Sequence, residues 1–125
     1  MEGRRTVLVI DDTLPFREYL CSVLSTAGFD VQSRPDGTAA LDAAAKNDFQ
    51  VIVTDYRMPN MNGVEVTKRL RLRFPGAVII GVSTDDRRED FLAAGADAFL
   101  LKPFRNAELL NLVKTDRHGN PAREP

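Results

Sequence analysis

The amino-acid sequence predicts a doubly wound α/β sandwich, in which helices cover both faces of a parallel sheet. Short apolar runs alternate with helical patterns five times along the 125 residues. The apolar runs are continuous, which is typical of strands that are buried on both faces. Each strand–helix–strand unit is expected to form a right-handed crossover, so the strands should lie parallel in one sheet.

The strands are predicted from runs of β-branched and aliphatic residues. A weaker run at 30–33 (DVQS) completes the set as the second strand along the chain. The strong runs are 6–10 (TVLVI), 51–54 (VIVT), 78–82 (VIIGV) and 98–101 (AFLL).

The helices are predicted from apolar residues that recur at steps of three and four. The first helix begins near Pro15, which suits a first helical turn, and ends before Gly28. Its apolar stripe consists of Phe16, Leu20, Val23, Leu24 and Ala27. The other helices are predicted at 39–46, 64–74, 106–114 and between Ser83 and Gly95.

The composition excludes several classes of protein. With 17 Lys and Arg against 18 Asp and Glu, the net charge is -1, so direct nucleic-acid binding is not expected. The apolar runs are far shorter than the roughly 20 residues of a membrane helix, and we expect neither membrane insertion nor export. The single Cys21 cannot form an internal disulfide, which favours a reducing, cytoplasmic location.

The chain is expected to form one domain over residues 1–114. Residues 115–125 (TDRHGNPAREP) are polar, contain two prolines and lack an apolar period. We therefore predict a flexible C-terminal tail over this segment.

Three carboxylates are expected to converge at one edge of the sheet. Asp11 and Asp12 directly follow the first strand, and Asp55 directly follows the third. In open α/β folds ligands bind at the carboxyl ends of the strands, and in the flavodoxin-like order 2-1-3-4-5 the switch point lies between strands one and three. Like charges about 4 Å apart repel by roughly 4 kcal/mol at an effective dielectric near 20, so the cluster requires a proton or a cation. Oxygen ligands alone favour Mg²⁺ or a similar hard ion such as Mn²⁺.

Two further polar residues follow strands at the same edge. The ammonium of Lys102 could neutralise a carboxylate and later a phosphoryl oxygen, and the hydroxyl of Ser83 could donate to that same oxygen. Pro103 fixes the backbone directly after Lys102. Taken alone, Asp12 also fits a helix cap and Lys102 a solvated lysine, but the set as a whole points to phosphate chemistry.

In combination these residues resemble the receiver domains of bacterial response regulators, which act in two-component signalling. The resemblance covers about residues 6–114. The motifs that carry it are Asp11–Asp12, Asp55 with Met58–Pro59 and Gly63, Ser83, and Lys102–Pro103–Phe104.

The resemblance implies a phosphoacceptor and a metal site. Asp55 would take a phosphoryl group from a sensor histidine kinase or a phosphotransfer protein. Asp11 and Asp12, with Asp55 and the backbone carbonyl of Arg57, would hold Mg²⁺ or Mn²⁺. Lys102 would pair with Asp55 and then with its phosphoryl group. The protein would be a phosphoacceptor that takes part in its own phosphorylation and dephosphorylation, and not an enzyme.

The resemblance also implies a switch. Ser83 would move to bond the phosphoryl group, Phe99 would swing inward as the switch aromatic, and the Lys102–Pro103 bond would be cis. The change would reach a face formed by helix four, strand five and helix five, which would bind an unknown downstream protein or form a homodimer. The segment from Ser83 to Gly95 is about three residues shorter than in typical receivers, so a short helix four is expected.

Other interpretations remain open. No effector domain follows residue 114, so the receiver is expected to stand alone or to be detached from its output domain. A pseudo-receiver would act by contact without phosphorylation. An aspartate-nucleophile phosphatase would place a second Asp where Arg57 stands, and Arg57 is also placed to pair with Asp85. A flavodoxin-type flavin module would need a phosphate-binding loop where 11–15 (DDTLP) is acidic.

Overall fold

Within residues 4–121, which the computed structural model describes, ten elements alternate along the chain. They are β1 (Thr6–Ile10), α1 (Leu14–Thr26), β2 (Asp30–Arg34), α2 (Gly37–Lys46), β3 (Val51–Asp55), α3 (Gly63–Arg73), β4 (Val78–Ser83), α4 (Arg88–Ala94), β5 (Ala98–Leu101) and α5 (Asn106–Val113). The strands pair in parallel in one sheet of order β2-β1-β3-β4-β5. The predicted fold and strand order are confirmed.

Two apolar layers hold the helices to the sheet, one on each face. Successive side chains of a strand point to opposite faces, so β1 contributes Leu8 and Ile10 to one layer and Val7 and Val9 to the other. The first layer packs against α2, α3 and α4, and the second against α1 and α5. This division of helices between the two faces is the doubly wound arrangement that continuous apolar strands predict.

Caps explain why two helices begin earlier than predicted. The carboxylate of Asp36 accepts a hydrogen bond from the Ala39 amide at 2.8 Å, and α2 therefore begins at Gly37. The side chain of Asn62 accepts one from the Glu65 amide at 2.9 Å, so α3 begins at Gly63.

Helix α4 has seven residues and is the shortest of the five in the described part of the chain, as expected from the short segment that contains it. Its first acidic residues, Glu89 and Asp90, lie where the helix dipole favours negative charge. The helix ends at Ala94 and is capped by Gly95, whose φ of 112° is accessible to glycine at little cost.

The first part of the predicted tail contacts the domain. Arg117 donates from Nε to Asp97 Oδ1 at 2.7 Å and from a terminal nitrogen to the Pro75 carbonyl at 2.8 Å. Residues 122–125, which complete the predicted tail, lie outside the described residues, as do residues 1–3. Between residues 4 and 121, no helix combines the length and the apolar character that crossing a membrane requires.

Candidate functional site

The three predicted acids meet at the carboxyl edge of the sheet. Strands β1 and β3 are neighbours, and Ile10 pairs with Thr54, so Asp11 and Asp55 follow register partners. Asp11, Asp12 and Asp55 each offer a carboxylate oxygen, and these oxygens lie within 4.8 Å of one another. Three hard oxygen donors at this spacing fit a divalent cation such as Mg²⁺.

Asp11 and Asp12 occupy different environments. Asp11 is 1% exposed, and its Oδ1 accepts a hydrogen bond from the Thr13 amide at 2.8 Å. Asp12 is exposed, and the helix cap that its position also suggested is absent, because Thr13 is the N-cap residue of α1 and no side chain caps it. The carboxylate of Asp12 is therefore not used by the helix.

Lys102 lies between Asp11, which is buried, and Asp55, which is partly buried. Its Nζ is 3.3 Å from Asp11 Oδ2 and 3.4 Å from Asp55 Oδ1, and the Lys102–Pro103 bond is cis. The same Nζ lies 4.0 Å from the centroid of the Phe16 ring, a favourable cation–π position. One ammonium against three carboxylates leaves the cluster negative, so it retains a reason to bind a cation.

Ser83 and Arg57 both bond to Asp85. Ser83 is 1% exposed and its hydroxyl donates to Asp85 Oδ1 at 2.6 Å. The guanidinium of Arg57 pairs with Asp85 Oδ2 at 3.1 Å, as the sequence suggested. Phe99 is buried and packs against Phe91, with ring centroids 5.8 Å apart, so in this structure the side chain is already inside.

The order of these residues, together with their geometry, matches one known family. Residues 7–114 match the family described as the response regulator receiver domain. The chain belongs to this family. The receiver is 40% identical over 121 residues to the transcriptional regulatory protein PrrA of Mycobacterium bovis, which covers 93% of this chain and 52% of that protein. It is 39% identical over 107 residues to the response regulator MprA of Mycobacterium sp. strain KMS, which covers 83% of this chain and 46% of that protein.

The receiver spans about half the length of the curated relatives that it matches. Among solved structures, the chemotaxis protein CheY4 of Vibrio cholerae is 34% identical with a TM-score of 0.80, covering 86% of this chain and 93% of that one. TrrA of Thermotoga maritima, solved in complex with Mg²⁺ and BeF, is 29% identical with a TM-score of 0.82, covering 88% of this chain and 96% of that one.

The surroundings of Asp55 in the receiver site change its pKa. Burial raises the pKa of Asp55 above its ordinary value; the Lys102 ammonium opposes this change and the Asp11 carboxylate adds to it. Because folding raises this pKa, the folded protein binds the proton more tightly than the unfolded chain does. The contribution of Asp55 to stability is thus present at low pH and is lost as the pH rises through the folded-state pKa.

Replacing Asp55 by Asn should therefore stabilise the metal-free receiver at neutral pH. We expect Asp55→Asn to raise the free energy of unfolding there, and the gain should shrink as the pH falls towards 3.8, the ordinary pKa of Asp. Urea unfolding in chelator across this range measures the effect. Asp42→Asn, at an exposed position on α2, is the matched control. An equal gain in both variants would contradict the conclusion that the gain comes from the raised pKa of Asp55.

Two features of the site are not visible in the sequence pattern. Phe16 was predicted only as part of the apolar stripe of the first helix, and its contact with Lys102 depends on how the start of α1 lies relative to the loop after β5. Gly63 belongs to the motif, but the need for glycine at this position is steric and becomes visible only in the structure. A Cβ on Gly63 would lie 2.0 Å from the backbone oxygen of Asp55, so only glycine lets α3 begin this close to Asp55.

Proposed function

We propose that the receiver accepts a phosphoryl group on Asp55 and thereby switches a protein-interaction face. The observation that carries the proposal is the convergence of Asp55, two further carboxylates and the Lys102 ammonium at one edge of the sheet. Phosphoryl transfer needs mainly positioning and neutralisation of charge, and these groups can supply both.

The donor in this proposal is a phosphohistidine on a sensor histidine kinase or a phosphotransfer protein. A carboxylate oxygen of Asp55 forms a bond to phosphorus while the bond from phosphorus to the imidazole nitrogen breaks. The imidazole leaves with that electron pair and Asp55 becomes an acyl phosphate. The Lys102 ammonium, already 3.4 Å from Asp55, neutralises charge on the transferred group.

A divalent cation completes the proposed site. Asp11, Asp12, Asp55 and the backbone carbonyl of Arg57 would hold Mg²⁺ or Mn²⁺, which would neutralise charge on the phosphoryl oxygens. The spacing and oxygen chemistry of the three carboxylates support this assignment.

The output is proposed to be a protein contact made by α4, β5 and α5, with Ser83 and Phe99 as the switch residues. Leu92 and Leu101 are exposed on α4 and β5, which supports contact with a downstream protein or a second copy. A homodimer would appear in sedimentation with a phosphoryl mimic, and a monomer with and without the mimic would contradict it. The reducing, cytoplasmic setting remains part of the proposal, on the basis of the single Cys21.

Intact mass spectrometry tests the proposed function. After incubation with acetyl phosphate and Mg²⁺, the wild-type receiver should gain one phosphoryl group, and chelator should prevent the gain. If no group is added, even when candidate histidine kinases serve as donors, the contact-only receiver becomes the better explanation. The phosphatase alternative is disfavoured because Arg57, bonded to Asp85, stands where an acid or base would be required.

A further inference from the structure

The carboxylate of Asp85 is the centre of a cluster that joins the loops after β3 and β4. It accepts hydrogen bonds from the Ser83 hydroxyl at 2.6 Å, from Arg57 at 3.1 Å and from Arg87 Nε at 3.0 Å. The guanidinium of Arg87 also lies 4.2 Å from the centroid of the ring of Tyr56, the residue that follows Asp55 in the sequence. Asp85 is therefore held from two sides.

The role of Asp85 is not that of a helix cap. Helix α4 begins at Arg88, and the backbone amide of Arg88 is satisfied by Asp86 Oδ1 at 3.0 Å. The Asp85 side chain instead turns towards Ser83, the buried residue that ends β4. Its bond with the hydroxyl is short, as expected for a donor that meets an ionised acceptor.

The Ser83 hydroxyl has one proton and can donate it to one acceptor at a time. Ser83 follows Val82, the register partner of Asp55, so it ends β4 beside the phosphoacceptor. In the observed arrangement the hydroxyl donates its hydrogen bond to Asp85. A phosphoryl group on Asp55 can accept a hydrogen bond from this hydroxyl only when the bond to the Asp85 carboxylate is broken.

We propose that Asp85, held by Arg57 and Arg87, is a positioning residue that competes with the phosphoryl group on Asp55 for the Ser83 hydroxyl. This inference rests on the proposed function of Asp55. In this role the Asp85 carboxylate is an anion of the protein itself, and its bond to Ser83 favours the unphosphorylated arrangement of the β4–α4 loop. Removing it should leave the hydroxyl free for the phosphoryl group.

Binding of beryllofluoride with Mg²⁺, measured by titration calorimetry on the full chain, tests the competition. We expect Asp85→Ala to bind about tenfold more tightly than wild type, because a hydrogen bond to a charged group is typically worth at least that factor. Glu89→Ala removes the same charge from an exposed position in the same segment and should change the affinity less than about twofold, as typical for a screened surface charge.

A double-mutant cycle separates the hydroxyl from the charge. In a Ser83→Ala background the gain from Asp85→Ala should shrink, because no hydroxyl is left to release. An equal gain in both backgrounds, or a gain no larger than that of Glu89→Ala, would overturn the competition while leaving the proposed function intact. A wild-type receiver that neither binds beryllofluoride nor accepts a phosphoryl group would overturn both. Urea unfolding of each variant shows that the comparison is made between folded proteins.

Discussion

Asp55→Asn is expected to abolish phosphoryl incorporation from acetyl phosphate and Mg²⁺. The amide has neither the charge nor the nucleophilic oxygen that forms the acyl phosphate, and it also removes one ligand from the acidic cluster. The fold should be retained, because Asn is nearly the same size and the pKa of Asp55 indicates that its charge disfavours folding. Intact mass should show one added group on wild type and none on the variant.

Asp42→Asn is the matched control for this loss. Asp42 lies on the exposed face of α2, so this variant should gain one phosphoryl group as wild type does. If Asp55→Asn still gained a group, the acceptor would lie elsewhere, and peptide mapping of Asp11 and Asp12 would be the next step. The proposed assignment of Asp55 would then be wrong.

Phe91→Ala is expected to lower the free energy of unfolding by about 3–5 kcal/mol, the usual cost of deleting a buried phenyl ring. Phe91 is 0% exposed and fills the space above Gly81, where a Cβ would lie 2.3 Å from the ring. Its ring also packs against Tyr56 and Phe99. Removing a tightly enclosed ring leaves a cavity that the surrounding side chains fill only in part. Urea denaturation with an unchanged m-value would measure this loss.

Leu92→Ala controls for the loss of helix α4 itself. Leu92 is adjacent in the helix but 43% exposed, so its truncation should cost much less than that of Phe91. Similar losses in the two variants would mean that the cost comes from α4 as a whole and not from the buried ring. The distinction matters because Phe91 lies between Tyr56, beside the proposed acceptor Asp55, and Phe99, on the proposed output face.

Much of the fold was predictable because each strand is covered on both faces and therefore leaves a continuous apolar run. Strand bounds at β1 and β5 agree with the prediction, while β2, β3 and β4 extend by one residue each. Those extra residues are Arg34, Asp55 and Ser83, which are paired in the parallel ladder. A prediction that rests on apolar character misses these strand ends because their side chains are polar.

The candidate site was predictable to the level of which residues meet. Parallel strands place their carboxyl ends at one edge, so the sequence alone assigns Asp11, Asp55, Ser83 and Lys102 to the same crevice. Which partner each group takes was not predictable in the same way. The ring of Phe16 beside Lys102 depends on how the start of α1 lies relative to the loop after β5, two segments far apart in the sequence.

By itself, the sequence determined the alternation of strands and helices and the acidic edge, because periodicity and strand-end residues are local properties of the chain. The strand order and the family followed from the resemblance to receiver domains that these residues carry. Only the tertiary structure decided that Asp11 is buried while Asp12 is exposed, and that the Ser83 hydroxyl is bonded to Asp85. It also decided that Phe99 is inside the core. These outcomes depend on distances between loops and helices, which arise from packing the whole domain and have no local signal in the sequence.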